Sequence, residues 1–254
     1  MNLSPADMAQ ILERVPQAEA QMLSEALLTL EADKKRAKFQ NLFPDEGPLR
    51  RELYPVHCEF FRAGAKYRER LLMASNRFGK TLAAGFECSA HLTGRYPHWW
   101  EGRRFDEPIE AWVAGDTNET TRDIIQKTLL GEPTWEDGRK RHDGVGIIPY
   151  ECHGTVRWKT GVPDLVDYIE IKHESGGWSR LAFKSYDQGR RVFQGTAKHL
   201  VWLDEECPMD VYGECLIRTA TTGGIIMLTF TPLLGMSELV RSFIQPDTGE
   251  TANA

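Results

Sequence analysis

The chain has 254 residues, of which 41% are hydrophobic and 27% are charged, and this ordinary globular composition provides enough apolar residues for a sizeable buried core. A disordered, collagenous or membrane-embedded chain would have a different composition. Lys and Arg number 31 against 37 Asp and Glu, for a formal net charge of −6. Because a net acidic surface repels phosphate at long range, any contact with nucleic acid must use a local basic patch.

The first 49 residues predict a small N-terminal helical region. A short helix is expected from Ser4 to Arg14, and apolar residues then recur at three- and four-residue intervals between Pro16 and Arg36. A loop rich in Pro and Gly follows these helices, and it is the best domain boundary in the chain. We therefore place the N-terminal helical region at residues 1–49.

Beyond this boundary, short apolar runs alternate with helical stretches, as in βαβ units. Candidate strands cover 70–74, 109–115, 199–203 and 225–230, and a β-hairpin is expected over 166–172 and 179–186. Asp116 and Glu119 form a capping pattern for a helix over 117–130. We predict an α/β core over 50–242, with a mainly parallel sheet flanked by helices and a β-hairpin insertion, and a flexible tail over 243–254.

The strongest local signal is a loop between the first apolar strand and a helix. It reads Ala74-Ser75-Asn76-Arg77-Phe78-Gly79-Lys80-Thr81. The backbone N–H groups of such a loop bind phosphate together with the helix N-terminus, Lys80 reaches the β and γ phosphates, and Thr81 offers a hydroxyl to Mg²⁺. This is a Walker A motif in which Ala74 replaces the usual first glycine. We predict that its eight residues bind ATP.

A second apolar run, 199–203, is followed by the acidic residues Asp204, Glu205 and Glu206. A buried strand that ends in an acidic pair is typical of the Walker B motif, in which Asp204 would join Thr81 in holding Mg²⁺ and Glu205 would activate the attacking water. A kinase of the P-loop class does not need the adjacent glutamate, whereas a hydrolase does. The pair therefore predicts an Mg²⁺-dependent ATPase in which Lys80 and Glu205 are catalytic.

A third buried strand, 225–230, leads into two threonines on one face. Strand side chains repeat every two residues, so Thr229 and Thr231 lie on the same side, where one of them could sense the γ-phosphate or its loss. Threonine is also a common strand residue, which leaves a purely structural reading open. We include Thr231 among the predicted catalytic residues.

The transition state of phosphoryl transfer also needs a positive charge that an arginine commonly supplies. Arg77, inside the loop, is the candidate from the same subunit. Arg190, Arg191 and Arg218 are alternatives that could act within the subunit or on a neighbour. For all three alternatives, a solvated surface arginine is the competing interpretation.

These motifs together resemble the ATPase domain of the large terminase subunit of tailed bacteriophages. The resemblance runs from about Tyr54 to Val240 and includes the loop at Lys80, Phe193-Gln194-Gly195 before the acidic strand end, and Leu228-Thr229-Phe230-Thr231-Pro232. It implies a P-loop NTPase of ASCE type that drives double-stranded viral DNA into a procapsid. It also implies that an Arg in the loop, here Arg77, takes part, and that Thr229 to Thr231 form a coupling motif.

The resemblance further implies the partners of this motor. These are double-stranded DNA, the portal protein and a small terminase subunit, with a homo-oligomeric ring in the assembled motor, a monomer in isolation, and action in the cytoplasm of an infected bacterium. The segment with Tyr54 and His57 is expected near the adenine. Too few residues follow Glu205 for the nuclease domain that usually continues such subunits, so none is expected in this chain.

Two alternative functions stay open at this point. One is another P-loop DNA motor, of helicase or recombinase type, which would separate strands or form filaments without a capsid partner. The other is a nucleotide-dependent interaction module, in which the N-terminal helices bind a partner and hydrolysis is vestigial. Tight nucleotide binding without turnover would favour the module.

Overall fold

A computed structural model describes residues 17–233 and 235–244 of the chain. The helices are α1 (Gln17–Arg36), α2 (Lys38–Asn41), α3 (Pro55–Ala63), α4 (Lys80–Thr93), α5 (Asn118–Thr120), α6 (Lys127–Leu130), α7 (Met209–Ala220) and α8 (Glu238–Ile244). A π-helical segment, Thr121–Gln126, joins α5 to α6. Within these two ranges, none of the helices is both long and apolar enough to cross a bilayer.

The strands form a central sheet and a small hairpin. They are β1 (Glu69–Met73), β2 (Glu110–Gly115), β3 (Pro133–Glu136), β4 (Arg139–His142), β5 (His153–Trp158), β6 (Val166–Lys172), β7 (Trp178–Ser185), β8 (Leu200–Asp204) and β9 (Ile225–Phe230). In the described part of the chain, seven strands form one sheet in the order β1-β9-β8-β2-β7-β6-β5, and β3 pairs with β4 separately. The neighbouring strands in β1-β9-β8-β2-β7 pair in parallel, whereas β6 pairs antiparallel with both β7 and β5. The predicted α/β fold with a mainly parallel sheet is confirmed.

Strand β9 lies between β1 and β8. The strand before the Lys80 loop is thus separated by one strand from the strand that ends in Asp204, which is the ASCE arrangement predicted above. Because the three strands are parallel, their carboxyl ends meet at one edge of the sheet, where α/β proteins bind ligands. The register places Thr229 level with both Leu72 and Asp204.

Each face of the sheet has its own hydrophobic cluster. On one face, Trp202 and Met227 belong to the cluster that contains Phe86 of α4. On the other face, Leu203 packs in a cluster with Val211 of α7. Helices on both faces bury the central strands β8 and β9 completely, as is typical of parallel sheets. The carboxyl ends of the strands, where the motifs lie, are therefore packed between helices on both faces of the sheet.

Two parts of the sheet differ from the prediction. The predicted hairpin forms as β6 and β7, but it is part of the main sheet, since β7 pairs in parallel with β2. Strand β5 at the sheet edge and the β3–β4 hairpin were not predicted from the sequence. Both are rich in polar residues, so neither shows the apolar run or strict alternation that identifies a strand.

The helical segment over 118–130 begins one residue later than predicted and has a different cap. The hydroxyl of Thr117 accepts a hydrogen bond from the Thr120 backbone N–H at 3.1 Å, and the Thr117 N–H donates to the Thr120 hydroxyl at 2.9 Å. The capping pattern assigned to Asp116 and Glu119 is therefore wrong. Threonine supplies both halves of the capping box in their place.

The N-terminal region contacts the rest of the chain through α2 and through Arg36 at the end of α1, which donates to the Asp143 carbonyl at 2.9 Å. The predicted helix that ends at Arg36 forms as α1. Beyond it, the Phe39 ring stacks on Phe86 at 4.8 Å between centroids, which joins α2 to the main hydrophobic cluster. The predicted helix over 4–14 lies outside the described residues, as do residues 245–254 of the predicted tail, whereas residues 243 and 244 of that tail belong to α8. The division at residue 49 stays a prediction.

A buried ion pair ties β1 to α4 directly behind the loop. The Arg70 guanidinium donates to both carboxylate oxygens of Glu87, at 2.6 and 3.1 Å, and to the Phe60 carbonyl at 2.6 Å. His91 Nε2 lies 3.1 Å from Glu87 Oε1. Burial acts to raise the pKa of Glu87, but the Arg70 charge and the bonds from His91 and Arg70 outweigh it, so this pKa is lowered.

We expect Arg70→Met to lower the free energy of unfolding by about 3–5 kcal/mol, because Glu87 would be left buried without its partner. Urea denaturation followed by circular dichroism measures this loss. Arg62→Met is the control, since Arg62 pairs with exposed Glu59 and Glu101 and is expected to cost no more than about 1 kcal/mol. Equal losses in the two variants would contradict the assigned importance of the buried pair.

Candidate nucleotide-binding site

The predicted phosphate loop lies between β1 and α4, at the carboxyl edge of the parallel strands. Gly79 caps α4 with a φ of 90°, and Arg77 has a φ of 64°. Glycine is favoured at the first position because a side chain there would be strained and its Cβ would lie 3.3 Å from His57 Nε2. A non-glycine residue in this region stores strain of about 1–3 kcal/mol, as is common at functional sites.

Lys80 links the loop to the end of β9. Its buried ammonium donates to the carbonyls of Ala74 and Ser75, both at 3.0 Å, and to the Thr231 hydroxyl at 2.9 Å. That hydroxyl also lies 2.9 Å from the Asn76 side-chain oxygen. The three ammonium donors are thus all directed at oxygen atoms. The structure brings together Lys80, Thr231 and the first half of the predicted loop.

Thr81 and Asp204 meet beside the loop. The Thr81 hydroxyl lies 3.2 Å from Asp204 Oδ2 and 3.3 Å from Oδ1, and Thr229 donates to Oδ1 at 2.5 Å. The described residues contain no group of three or more His, Cys, Asp or Glu suited to a metal. Mg²⁺ commonly takes only one or two protein oxygens and completes its shell with phosphates and water. The oxygen donors of Thr81 and Asp204 fit that pattern.

Glu205 follows the end of β8 with an exposed side chain and a φ of 67°. Its backbone N–H donates to the Thr229 carbonyl at 2.8 Å. The hydroxyl of buried Tyr186 donates to the Asp204 carbonyl at 3.0 Å, and thereby fixes the strand end that carries both acids. Tyr186 was not predicted as a site residue. It ends the predicted β-hairpin, and no sequence pattern indicates that its hydroxyl contacts the Asp204 carbonyl 18 positions further along the chain.

The four arginine candidates have different surroundings. Arg77 is exposed on the loop, and none of the described carboxylates lies within ion-pair distance of it. Arg190 and Arg218 both pair with the buried carboxylate of Glu214, at 3.1 and 3.0 Å. Arg191 is exposed. Arg77 is therefore the candidate that lies in the loop itself, while Glu214 restrains two of the alternatives.

The other side chains of the loop are distributed between solvent and protein. Ser75 and Asn76 are exposed, and Phe78 is half-buried. The Phe78 ring stacks on His57 at 4.9 Å, and His57 Nε2 lies 3.1 Å from the Phe78 carbonyl. Burial lowers the pKa of His57. The segment before β1 thus contacts the loop, and its expected role near adenine stays a prediction.

The site has a predicted pH dependence, because burial raises the pKa of the Asp204 carboxyl to about 7. Metal binding needs the carboxylate, so below this pKa the proton competes with the metal. We expect the affinity for Mn²⁺·ADP to fall about tenfold per pH unit between pH 7 and 5 and to level off above pH 8. Equilibrium titrations measure this trend. Asp204→Asn has no titratable group there and controls for the titration of the nucleotide itself. An identical slope in both proteins would contradict the assignment.

A comparison with known protein families identifies a family for this chain. The model described as "Terminase large subunit, T4likevirus-type, N-terminal" matches residues 71–253. The large terminase subunit of Salmonella phage P22 is 40% identical over 211 residues, which cover 76% of this chain and 41% of that protein. The chain thus spans less than half the length of this curated relative.

Solved structures with similar folds include two phage proteins. The ATPase domain of the large terminase of Thermus phage P74-26 is 15% identical, with a TM-score of 0.46, and the match covers 70% of this chain and 64% of that one. The large terminase of bacteriophage HK97 is 13% identical, with a TM-score of 0.46, and the match covers 79% of this chain and 37% of that one.

Proposed function

Since the chain belongs to the family of terminase large subunits, we propose that it is an Mg²⁺-dependent ATPase that powers translocation of double-stranded viral DNA into a procapsid. One observation carries this proposal. Lys80 and Thr81 at the start of α4 and Asp204 at the end of β8 come together at one edge of the sheet, with Glu205 directly after Asp204. This is the arrangement that a P-loop hydrolase needs to bind a triphosphate and activate water.

Nucleotide binding would replace contacts that the loop now makes with itself. The N–H groups of residues 75–81 and the start of α4 offer donors for the phosphates. The Lys80 ammonium would exchange the Ala74 and Ser75 carbonyls for β and γ phosphate oxygens. Thr81 and Asp204 would hold Mg²⁺, which neutralises charge on the phosphates when bound.

Hydrolysis would then depend on Glu205. Its carboxylate takes a proton from water, the water oxygen bonds to the γ-phosphorus, and the bond from that phosphorus to the bridging oxygen of ADP breaks. Arg77 lies in the same loop as the phosphate-binding residues, and its exposed guanidinium would stabilise the negative charge that develops on the γ-phosphate in the transition state. The products are ADP and inorganic phosphate.

Thr231 would carry the result of hydrolysis to a moving part. Its hydroxyl contacts Lys80 and Asn76 at 2.9 Å each, so a change in the position of either loop residue alters its hydrogen bonds. Thr231 follows β9 directly, and β9 lies between β1 and β8. Loss of the γ-phosphate would therefore be sensed where the two nucleotide-binding strands are joined.

The remaining parts of the proposal concern partners. We assign to this chain double-stranded DNA as the translocated substrate, the portal protein and a small terminase subunit as partners, and a homo-oligomeric ring as the working form in the cytoplasm of an infected bacterium. Membership of the terminase large-subunit family supports these assignments.

A DNA-packaging assay tests this function. Procapsids that carry the portal are mixed with linear double-stranded DNA, ATP, Mg²⁺ and this chain or a longer protein that contains it, and DNase is then added. We expect ATP-dependent protection of the DNA, with none for Lys80→Ala. ATP-dependent strand separation without protection would overturn the proposal in favour of a helicase-like motor.

A further inference from the structure

A buried tryptophan lies directly behind the predicted metal ligand. Trp202, in the middle of β8, is fully buried, and its indole N–H donates to the Thr229 hydroxyl at 2.8 Å. Thr229 is the register partner of Asp204, and Trp202 lies two residues before Asp204 on the same face of β8. The indole therefore reaches Thr229 diagonally across two neighbouring strands.

The direction of these hydrogen bonds follows from the chemistry of the groups. An indole N–H can only donate, so the Thr229 oxygen must accept from Trp202. The single hydroxyl proton of Thr229 is then free to be donated, and Asp204 Oδ1 lies 2.5 Å away to accept it. A threonine hydroxyl without the indole could rotate to other acceptors. Trp202 thus fixes which way Thr229 donates.

The other contacts of Asp204 complete its orientation. Oδ2 lies nearest the Thr81 hydroxyl, at 3.2 Å, and the Tyr186 hydroxyl holds the Asp204 backbone carbonyl at 3.0 Å. The Thr81 hydroxyl is almost as close to Oδ1, at 3.3 Å, so both carboxylate oxygens face Thr81 while Oδ1 is bound to Thr229. The bond to Thr229 thus holds the carboxylate beside the residue that is its expected partner in metal binding.

We propose that Trp202 is a positioning residue, which orients the Asp204 carboxylate for Mg²⁺ through the Thr229 hydroxyl. The inference rests on the proposed function, because it assigns the metal to Asp204 and Thr81. The inference goes beyond the proposed function because it assigns Trp202 a hydrogen-bonding role in addition to its packing in the core. Groups that orient metal ligands from behind commonly change metal affinity by about 10- to 100-fold when removed.

Trp202→Phe removes the N–H and keeps most of the apolar volume. Trp112→Phe is the matched control, since Trp112 is a buried tryptophan on the adjacent strand β2 that belongs to the cluster on the opposite face of the sheet. The Kd of ADP is measured with and without Mn²⁺, whose binding is also followed by electron paramagnetic resonance. We expect Trp202→Phe to weaken Mn²⁺·ADP about tenfold and leave metal-free ADP unchanged, while Trp112→Phe changes neither.

The hydrogen bond itself is tested by nuclear magnetic resonance without any ligand. The Trp202 indole N–H signal is identified by its loss in Trp202→Phe. Thr229→Val removes the acceptor and should shift this signal and speed its exchange with solvent, whereas Thr229→Ser should preserve it. No change in the signal with Thr229→Val would overturn the relay.

These outcomes separate the inference from the proposed function. Equal Mn²⁺·ADP affinity in wild type and Trp202→Phe, in a wild-type protein that hydrolyses ATP, would overturn the positioning role and leave the ATPase standing. A wild-type protein that binds Mn²⁺·ADP without hydrolysing ATP would overturn the proposed function. In that case, selective weakening of Mn²⁺·ADP by Trp202→Phe would still support the positioning role.

Discussion

Glu205→Gln is expected to lower ATP turnover by roughly 10²- to 10⁴-fold, which is the range for loss of a general base, while nucleotide binding persists. The amide keeps the size of the side chain but cannot accept a proton from water. Glu205 is exposed and its main chain is fixed by the Thr229 carbonyl, so the substitution should leave the surrounding fold intact. Phosphate release measures turnover, and fluorescent ADP measures binding.

Glu206→Gln is the matched control for this variant. It removes the next carboxylate in the chain. Glu206 is half-buried, whereas Glu205 is exposed. Turnover by Glu206→Gln should stay close to that of wild type. Normal hydrolysis by Glu205→Gln would remove Glu205 from its assigned role, and a loss confined to Glu206→Gln would transfer that role to its neighbour.

Lys80→Ala is expected to weaken ATP binding by about 10- to 100-fold, as befits a lost charge-assisted hydrogen bond worth about 1.5–3 kcal/mol, and to abolish measurable turnover. The ammonium is the buried cation that links the loop to Thr231. Its removal also deprives the Ala74 and Ser75 carbonyls of a donor. Isothermal titration with a non-hydrolysable ATP analogue gives the affinity directly.

Lys198→Ala controls for the loss of a buried lysine in general. Lys198 is buried as well, and its ammonium donates to Glu110 at 2.7 Å, but it precedes β8 at the amino ends of the strands. This variant should lower stability and leave the affinity for nucleotide unchanged. Equal loss of affinity in the two variants would mean that Lys80 acts through stability and not through phosphate.

The strands that carry Asp204 and Thr229 could be predicted because they are buried on both faces. Strands β8 and β9 consist almost entirely of apolar residues up to Asp204 and Thr229, so an unbroken apolar run marks each strand and its end. Both acids and the phosphate loop could then be placed at one edge from topology alone. The parallel order β1-β9-β8 places the carboxyl ends of β1 and β8 at the same edge of the sheet.

Contacts that depend on register could not be predicted in the same way. The bond from Trp202 to Thr229 joins residues that are 27 positions apart, and it exists only because β8 and β9 pair as they do. The stacking of His57 on Phe78 depends likewise on how α3 packs against the loop. Edge strand β5 was not predicted, because it has no fully buried position and therefore shows no regular alternation of apolar and polar residues.

The most direct test of the account is ATP turnover per subunit, measured over a series of chain concentrations with Mg²⁺ and with excess chelator. We predict phosphate release that requires the metal, disappears in Glu205→Gln, and rises per subunit with concentration as the subunits assemble into the proposed ring. Nucleotide that binds at every concentration but is never hydrolysed would contradict the account and favour an interaction module.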